Sequence, residues 1–156
     1  VLSEESAYVV LELLKGVTTA GSGVRLRTSE HYYKDIITGF PYEFTNPIAG
    51  KTGTTQNHTD GWFMGVVPNL ATGVWTGGED RAVHFENIAE GQGATMSLPT
   101  WALFMKKVYA DTSLNISKED FEKPESIGIV TTCGKDSSTK DKNSKKIIPE
   151  DDDIDF

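Results

Sequence analysis

One cysteine, Cys133, occurs in the 156 residues, so no internal disulfide can form and the sequence carries no sign of its redox compartment. Positive charge is scarce as well: 15 Lys and Arg stand against 23 Asp and Glu, a formal net charge of −8. Binding to a phosphate backbone needs Lys and Arg gathered on one face, so no nucleic-acid partner is expected. Long apolar runs are missing, and no segment reads as a membrane span. The start lacks the positively charged, apolar-cored pattern of a secretory signal. The opening "VLSEESAYVV" has no Met and is already helix-like, which reads as a piece cut from something longer. Its lack of a targeting segment therefore says little about a parent protein. His31, His58 and His84 are far apart and show no metal-ligand spacing, and no nucleotide fingerprint occurs, so neither metal nor cofactor is expected.

What is present is enough for one domain with a modest core: 37% hydrophobic and 24% charged residues. Residues 4 to 15 read as a helix, with Ala7, Val10, Leu11 and Leu14 on one face. Ser3 suits its N-cap, Glu4 and Glu5 suit the positive end of its dipole, and Gly16 suits its C-terminal turn. "TTAGSG" then reads as a loop. Tyr32, Tyr33, Phe40, Tyr42 and Phe44, scattered among Gly39, Pro41 and Pro47, read as a long aromatic-studded loop packed on the core.

From 48 to 80 the hydrophobic period becomes two. "IAGKTGTT", "GWFMGVVP" and "TGVWTGGED" are three strand candidates, separated by the turn chemistry of "QNHTD" and "PNLA". Connections this short imply antiparallel neighbours, hence a three-stranded meander. Trp62 and Trp75 are expected in the core, with a groove role for Trp62 as the alternative. Met64 reads as strand filling. His58 near Asp60 reads as a turn histidine beside a capping acid, and Glu79-Asp80-Arg81 as a solvated turn. "ENIAEGQGATM" reads as a glycine-rich loop. Ser97 as N-cap and Pro99 in the first turn then open a helix that carries Trp101, Phe104, Met105 and Val108 on one face. After about residue 125 apolar residues thin out. The boundaries are therefore 1–125 for the folded part and 126–156 for a flexible polar and acidic tail ending in "PEDDDIDF".

The chemistry concentrates in "NPIAGKTGTTQNHTDGWFMGVV". A lysine between glycines, followed by hydroxyl residues, invites a phosphate-loop reading. That motif needs a glycine five residues before the Gly-Lys pair, where Thr45 stands, and must open a helix, whereas strand-like "WFMGVV" follows. As a strand, "GKTGTT" places Lys51 and Gly53 on one face and Gly50, Thr52 and Thr54 on the other. An edge strand of this kind can accept an extended peptide as an added strand. The hydroxyls of Thr52 and Thr54, with an ammonium nearby, suit a terminal carboxylate. By spacing alone, a Thr-rich edge strand with a solvated lysine remains the competing reading.

Lys51-Thr52-Gly53 resembles the third motif of the serine penicillin-binding proteins and related β-lactamases. The surrounding "NPIAGKTGTTQNHTDGWFMGVVPNLATGVWTGGED" is similar to the bifunctional class A penicillin-binding proteins, especially those of Bacteroidetes-type bacteria. "GVTTAGSGVRLR" resembles the helix-to-loop segment before that strand, and "GQGATMSLPTWALFMKKVY" the closing helix of the transpeptidase domain. The resemblance covers roughly residues 3 to 125. It implies serine acyl transfer: attack on a D-alanyl-D-alanine stem peptide, loss of the last D-alanine, and transfer to a neighbouring amine that cross-links peptidoglycan. Carried over by position, Lys51 supplies positive potential, Thr52 and Thr54 hydrogen-bond the substrate carboxylate, and Gly53 lets the substrate backbone approach. The Thr54 backbone N–H becomes one oxyanion donor, a contact worth about 3 kcal/mol in such sites. Peptidoglycan stem peptides and β-lactams are the implied ligands. The periplasmic side of the cytoplasmic membrane is the implied location, with a glycosyltransferase and membrane anchor in the parent.

The family's other two motifs, Ser-x-x-Lys with the nucleophile and Ser-x-Asn, do not precede Lys51. Ser137-Ser138-Thr139-Lys140 and Ser113-Leu114-Asn115 match in spacing but follow it. With serine and lysine this frequent, roughly one such match arises by chance. The expected fold is therefore α+β: a three-stranded antiparallel meander flanked by an N-terminal and a C-terminal helix packed on one face, a partial serine transpeptidase/β-lactamase-like domain. The expectation is a transpeptidase fragment with the carboxylate-binding strand and no nucleophile, inactive alone. Its partner would be the missing N-terminal part of the same domain, which in the family supplies two further strands. Its last strand would then expose a bare edge open to a homodimer. A non-catalytic peptide-binding module and a β-lactamase-like hydrolase fragment are the alternatives.

Overall fold

In a computed structural model the described residues are 2–30 and 37–128. His31, Tyr32, Tyr33, Cys133, Ser137 to Lys140 and nearly all of the acidic tail lie outside them. Three strands, β1 (Ala49–Thr54), β2 (Asp60–Val67) and β3 (Leu70–Gly77), form an antiparallel meander in the order β1-β2-β3. The α+β architecture expected from the sequence is the one observed. Each connection is short: five residues join β1 to β2, and Pro68-Asn69 alone joins β2 to β3.

Register explains the two faces of the sheet. Gly50 pairs with Gly65, Thr52 with Phe63 and Thr54 with Gly61, so these residues share one face. In β2 that face is Gly61, Phe63, Gly65 and Val67, all buried. The helix α4 (Leu98–Ala110) packs there, bringing Trp101, Ala102 and Met105, each at 0% exposure, onto Phe63 and Val67. Trp101 and Phe63 meet edge-on at 5.1 Å between ring centroids. A Cβ at Gly65 would stand 2.2 Å from Trp101 Cζ2, so the missing side chain is what admits the indole. The indole N–H donates to Thr72 Oγ1 at 2.7 Å, which satisfies the one polar atom of this buried ring.

The other face departs from expectation. Trp62 and Trp75 are directly opposed in register and remain 45% and 49% exposed, so neither belongs to the core. Period-two alternation forces this: Phe63 and Val74 point to the helices, and their neighbours must point away. Met64, 45% exposed, stands on the same outer face.

The first helix, α1 (Glu4–Ala20), is longer than its sequence suggests. Ser3 caps it, its side chain accepting from the Ser6 N–H. Gly16 lies inside the helix, and Gly21 is the C-cap. Thr18 explains the extension. Its buried hydroxyl donates to Ile48 O at 2.6 Å, so the extra turn is held by the lead-in to β1. The expected apolar face of α1 is only half covered: Ala7, Leu11 and Leu14 are half-buried and Val10 is exposed.

A further reading is corrected. The glycine-rich "ENIAEGQGATM" contains two single-turn helices, α2 (Ile88–Gly91), capped by Asn87, and α3 (Gly93–Met96). Ser97 does hold the N-cap position of α4, as the sequence suggests, but its side chain makes no capping hydrogen bond; its fully buried hydroxyl donates to Gly61 O at 2.8 Å instead. In α4 itself, Phe104 is 45% exposed while Trp101, Met105 and Val108 are buried. The aromatic loop is confirmed in part: Tyr42 and Phe44 are buried in the core cluster and Phe40 packs against it. Burial pushes the Tyr42 phenol up to about 12, and its hydroxyl donates to Thr38 O.

Candidate functional site

The candidate site lies on β1. This strand has no strand partner beyond β2 among the described residues, so one side of it is an edge. Two anchors fix its lead-in. The first is the Thr18 hydroxyl on Ile48 O. The second is Arg27, whose guanidinium donates to Phe44 O at 3.0 Å, Asn46 O at 2.9 Å and Thr18 Oγ1 at 3.3 Å. Burial lowers the Arg27 pKa, yet an arginine this basic stays charged and keeps its hold on those carbonyls.

The four residues singled out by sequence are arranged by the strand's alternation. Lys51 and Gly53 oppose Met64 and Trp62 on the outer face, while Thr52 and Thr54 share the helix-side face. Lys51 Nζ curls back to donate to Thr52 O at 2.8 Å. The Thr52 hydroxyl lies 2.7 Å from Ser22 Oγ, in the turn after α1. The Thr54 hydroxyl accepts from the Gly93 N–H of α3 at 3.0 Å, leaving its own proton free to donate.

Backbone polarity follows from the hairpin. Thr55 N–H donates to Asp60 O at 3.0 Å, toward β2. Successive residues of a strand present their N–H groups to opposite sides, so the Thr54 N–H faces the open edge, as does the Thr52 carbonyl that Lys51 covers. The site thus offers a backbone donor, two hydroxyls and an ammonium along one strand margin. That set suits an extended ligand ending in an anion. A cleft of about 680 Å³ lies elsewhere, between Glu43–Pro47 and Lys106, Tyr109 and Lys118, and none of the four residues lines it.

Other sequence candidates separate from this margin. His58 sits in the β1–β2 turn at φ +54° and makes no hydrogen bond to Asp60, whose carboxylate accepts from Thr59 Oγ1 at 3.0 Å. Glu79, Asp80 and Arg81 are exposed. Ser113 and Leu114 lie in an exposed 3₁₀ turn after α4, Thr112–Leu114, and Asn115 follows as its C-cap. Among the described residues no three His, Cys, Asp or Glu side chains gather as a metal ligand set, and no helix is long and apolar enough to cross a membrane. Ser22 and Gly93 escaped the sequence reading. Their contacts to the strand span 30 and 39 residues, and no local pattern announces contacts of that range.

Three relatives are similar to this chain as a whole. The chain is 36% identical over 134 residues to penicillin-binding protein 1A of Neisseria flavescens, covering 85% of this chain and 14% of that protein. It is 27% identical over 135 residues to penicillin-binding protein 1A of Clostridium tetani, covering 86% and 15%. With the protein of the same name from Aquifex aeolicus it shares 36% over 89 residues, 57% and 11%. The chain is penicillin-binding protein 1A-like. It spans about a seventh of the length of the first two relatives. None of these three comes from a Bacteroidetes-type bacterium, so that narrower resemblance gains nothing from them. No family model matches the penicillin-binding protein 1A-like chain, and no solved structure matches it.

Proposed function

We propose that this chain is part of a peptidoglycan D,D-transpeptidase and supplies its carboxylate-binding wall without the nucleophile. The observation that carries the reading is β1 as a sheet edge, with the Thr54 N–H, two threonine hydroxyls and the Lys51 ammonium along one open margin. In this reading a stem peptide, or a β-lactam in its place, lies along β1 as an added strand. Lys51, Thr52 and Thr54 hold its terminal carboxylate, and Gly53 leaves room for its backbone. The Thr54 N–H donates to the oxyanion that forms when a serine from the rest of the domain attacks the carbonyl.

Residues 1–125 form the C-terminal portion of that domain and 126–156 its tail; Phe121, 9% exposed, supports a folded body that reaches this far. The outer face with Trp62, Met64 and Trp75, and the edge of β3 that has no partner among the described residues, are the surfaces we assign to the N-terminal part of that domain. The parent would act on the periplasmic side of the cytoplasmic membrane, with an anchor and a glycosyltransferase outside this chain.

The test is covalent labelling. Incubated with a labelled penicillin, the purified chain is expected to keep its intact mass, while the full-length protein containing it gains one acyl group. An adduct on the isolated chain would overturn the claim that it lacks the nucleophile. No adduct on the full-length protein would overturn the transpeptidase reading.

A further inference from the structure

We propose that Ser22 is a positioning residue for the carboxylate subsite, its hydroxyl orienting that of Thr52 toward the bound anion. The inference rests on the function proposed above and adds a residue to it.

The geometry begins in the turn that ends α1. Gly21 and Gly23 both donate their N–H groups to Val17 O, at 3.1 and 2.9 Å, so "AGSG" folds back onto the last helical turn. A Cβ at Gly21 would stand 3.0 Å from Val17 Cα and O, a tight contact that glycine avoids. Leu26, at 0% exposure, pins the following 3₁₀ turn, Val24–Leu26, into the core. On the other side Thr18 binds Ile48 O. Ser22 lies four residues after Thr18, and Thr52 four after Ile48. The turn and the strand are therefore tied together at one point, and the two hydroxyls meet at a second.

Chemistry distinguishes Ser22 from its neighbours. The Thr18 hydroxyl is committed to Ile48 O, and that of Thr19 bonds carbonyls of its own helix, Lys15 O and Gly16 O. The Ser22 hydroxyl bonds Thr52 Oγ1 and no other described atom. A pair of hydroxyls holds two protons and one occupies the bridge. When Ser22 donates, the Thr52 proton is polarised and left for an acceptor, and a carboxylate is an acceptor only. Without Ser22, Thr52 must order its own hydroxyl as the ligand arrives.

The experiment uses the full-length protein as wild type, Ser22→Ala, Ser22→Thr and Thr52→Val. Acylation is followed with a penicillin as the free acid and as its methyl ester, and thermal stability is read for each variant. Ser22→Ala is expected to slow acylation by the acid about 3- to 10-fold, the scale of one hydrogen bond. That loss falls on the saturation constant rather than the limiting rate. The ester is expected to change less than about twofold, since its weaker acceptor gains less from an ordered donor. Ser22→Thr restores the hydroxyl and the rate. Unchanged acylation in Ser22→Ala beside a loss in Thr52→Val would overturn the role of Ser22 and leave the proposed function standing. Equal losses on acid and ester, with lowered stability, would make Ser22 only a structural bridge and overturn the proposal too. No effect of Thr52→Val, or no acylation of the wild type, would bring down the functional reading and this inference with it.

Discussion

At the scale of single residues, the Lys51-Thr52-Gly53 triplet was legible because its information is local: residue types, order and the alternation of a strand. Ser22 was not legible, since nothing in "AGSG" marks a contact 30 residues away. The core shows the same division. Trp101 reads as a core residue from its helix face, but the glycine that receives it, Gly65, is identified only by the packing. Gly65→Ala is expected to destabilise the fold by about 1–3 kcal/mol, the usual cost of overpacking, because the indole has nowhere to retreat. A urea midpoint equal to wild type would contradict that packing. Ser97→Ala is a second case. It removes the donor to the buried Gly61 carbonyl and is expected to cost about 1–2 kcal/mol in urea unfolding. The lost energy comes from the tie between α4 and β2. A capping hydrogen bond would be worth a similar amount, but the Ser97 side chain does not make one.

At the scale of elements, three strands and two long helices were legible from periodicity, with boundaries that tertiary contacts moved. The helix α1 runs past Gly16 because Thr18 finds Ile48 O. A second tie joins α1 to the segment after α4: Lys15 Nζ donates to both Asp120 oxygens, at 2.7 and 2.8 Å, and to Glu12 Oε1 at 2.7 Å. The hydrogen bond from Lys15 holds the Asp120 pKa below the ordinary carboxylate value. Burial works to lower the Lys15 pKa, but its bonds to Asp120 and Glu12 outweigh that and raise it. A carboxylate with a depressed folded pKa stabilises above its unfolded pKa and loses that contribution as pH falls through the folded one. Asp120 is 55% exposed, so solvent screening limits the pair to about 0.2–1 kcal/mol. Asp120→Asn is therefore expected to lower the urea midpoint slightly at neutral pH. The gap from wild type should close as pH falls below the carboxylate range. A gap that persists in strong acid would show that the asparagine disrupts packing instead.

At the scale of the whole molecule, the edges and faces of the sheet decide what the chain can join. The edge of β3 is unpaired among the described residues, and an unpaired edge is a template for another strand. We expect the isolated chain to dimerise there, with a sedimentation coefficient that rises with concentration. A monomer throughout the concentration series would remove that expectation. The sequence by itself determined the α+β class, the three strands and the polar strand with its lysine, because each depends on neighbours within a few positions. The sequence also reads the lysine strand as an edge, as the strand order bears out; only the tertiary structure decided that Trp62 and Trp75 face outward, and which distant residues, Ser22 and Gly93, touch the threonines. Those facts depend on which face the helices cover and on close approach between segments 30 or more residues apart, and no periodicity encodes either.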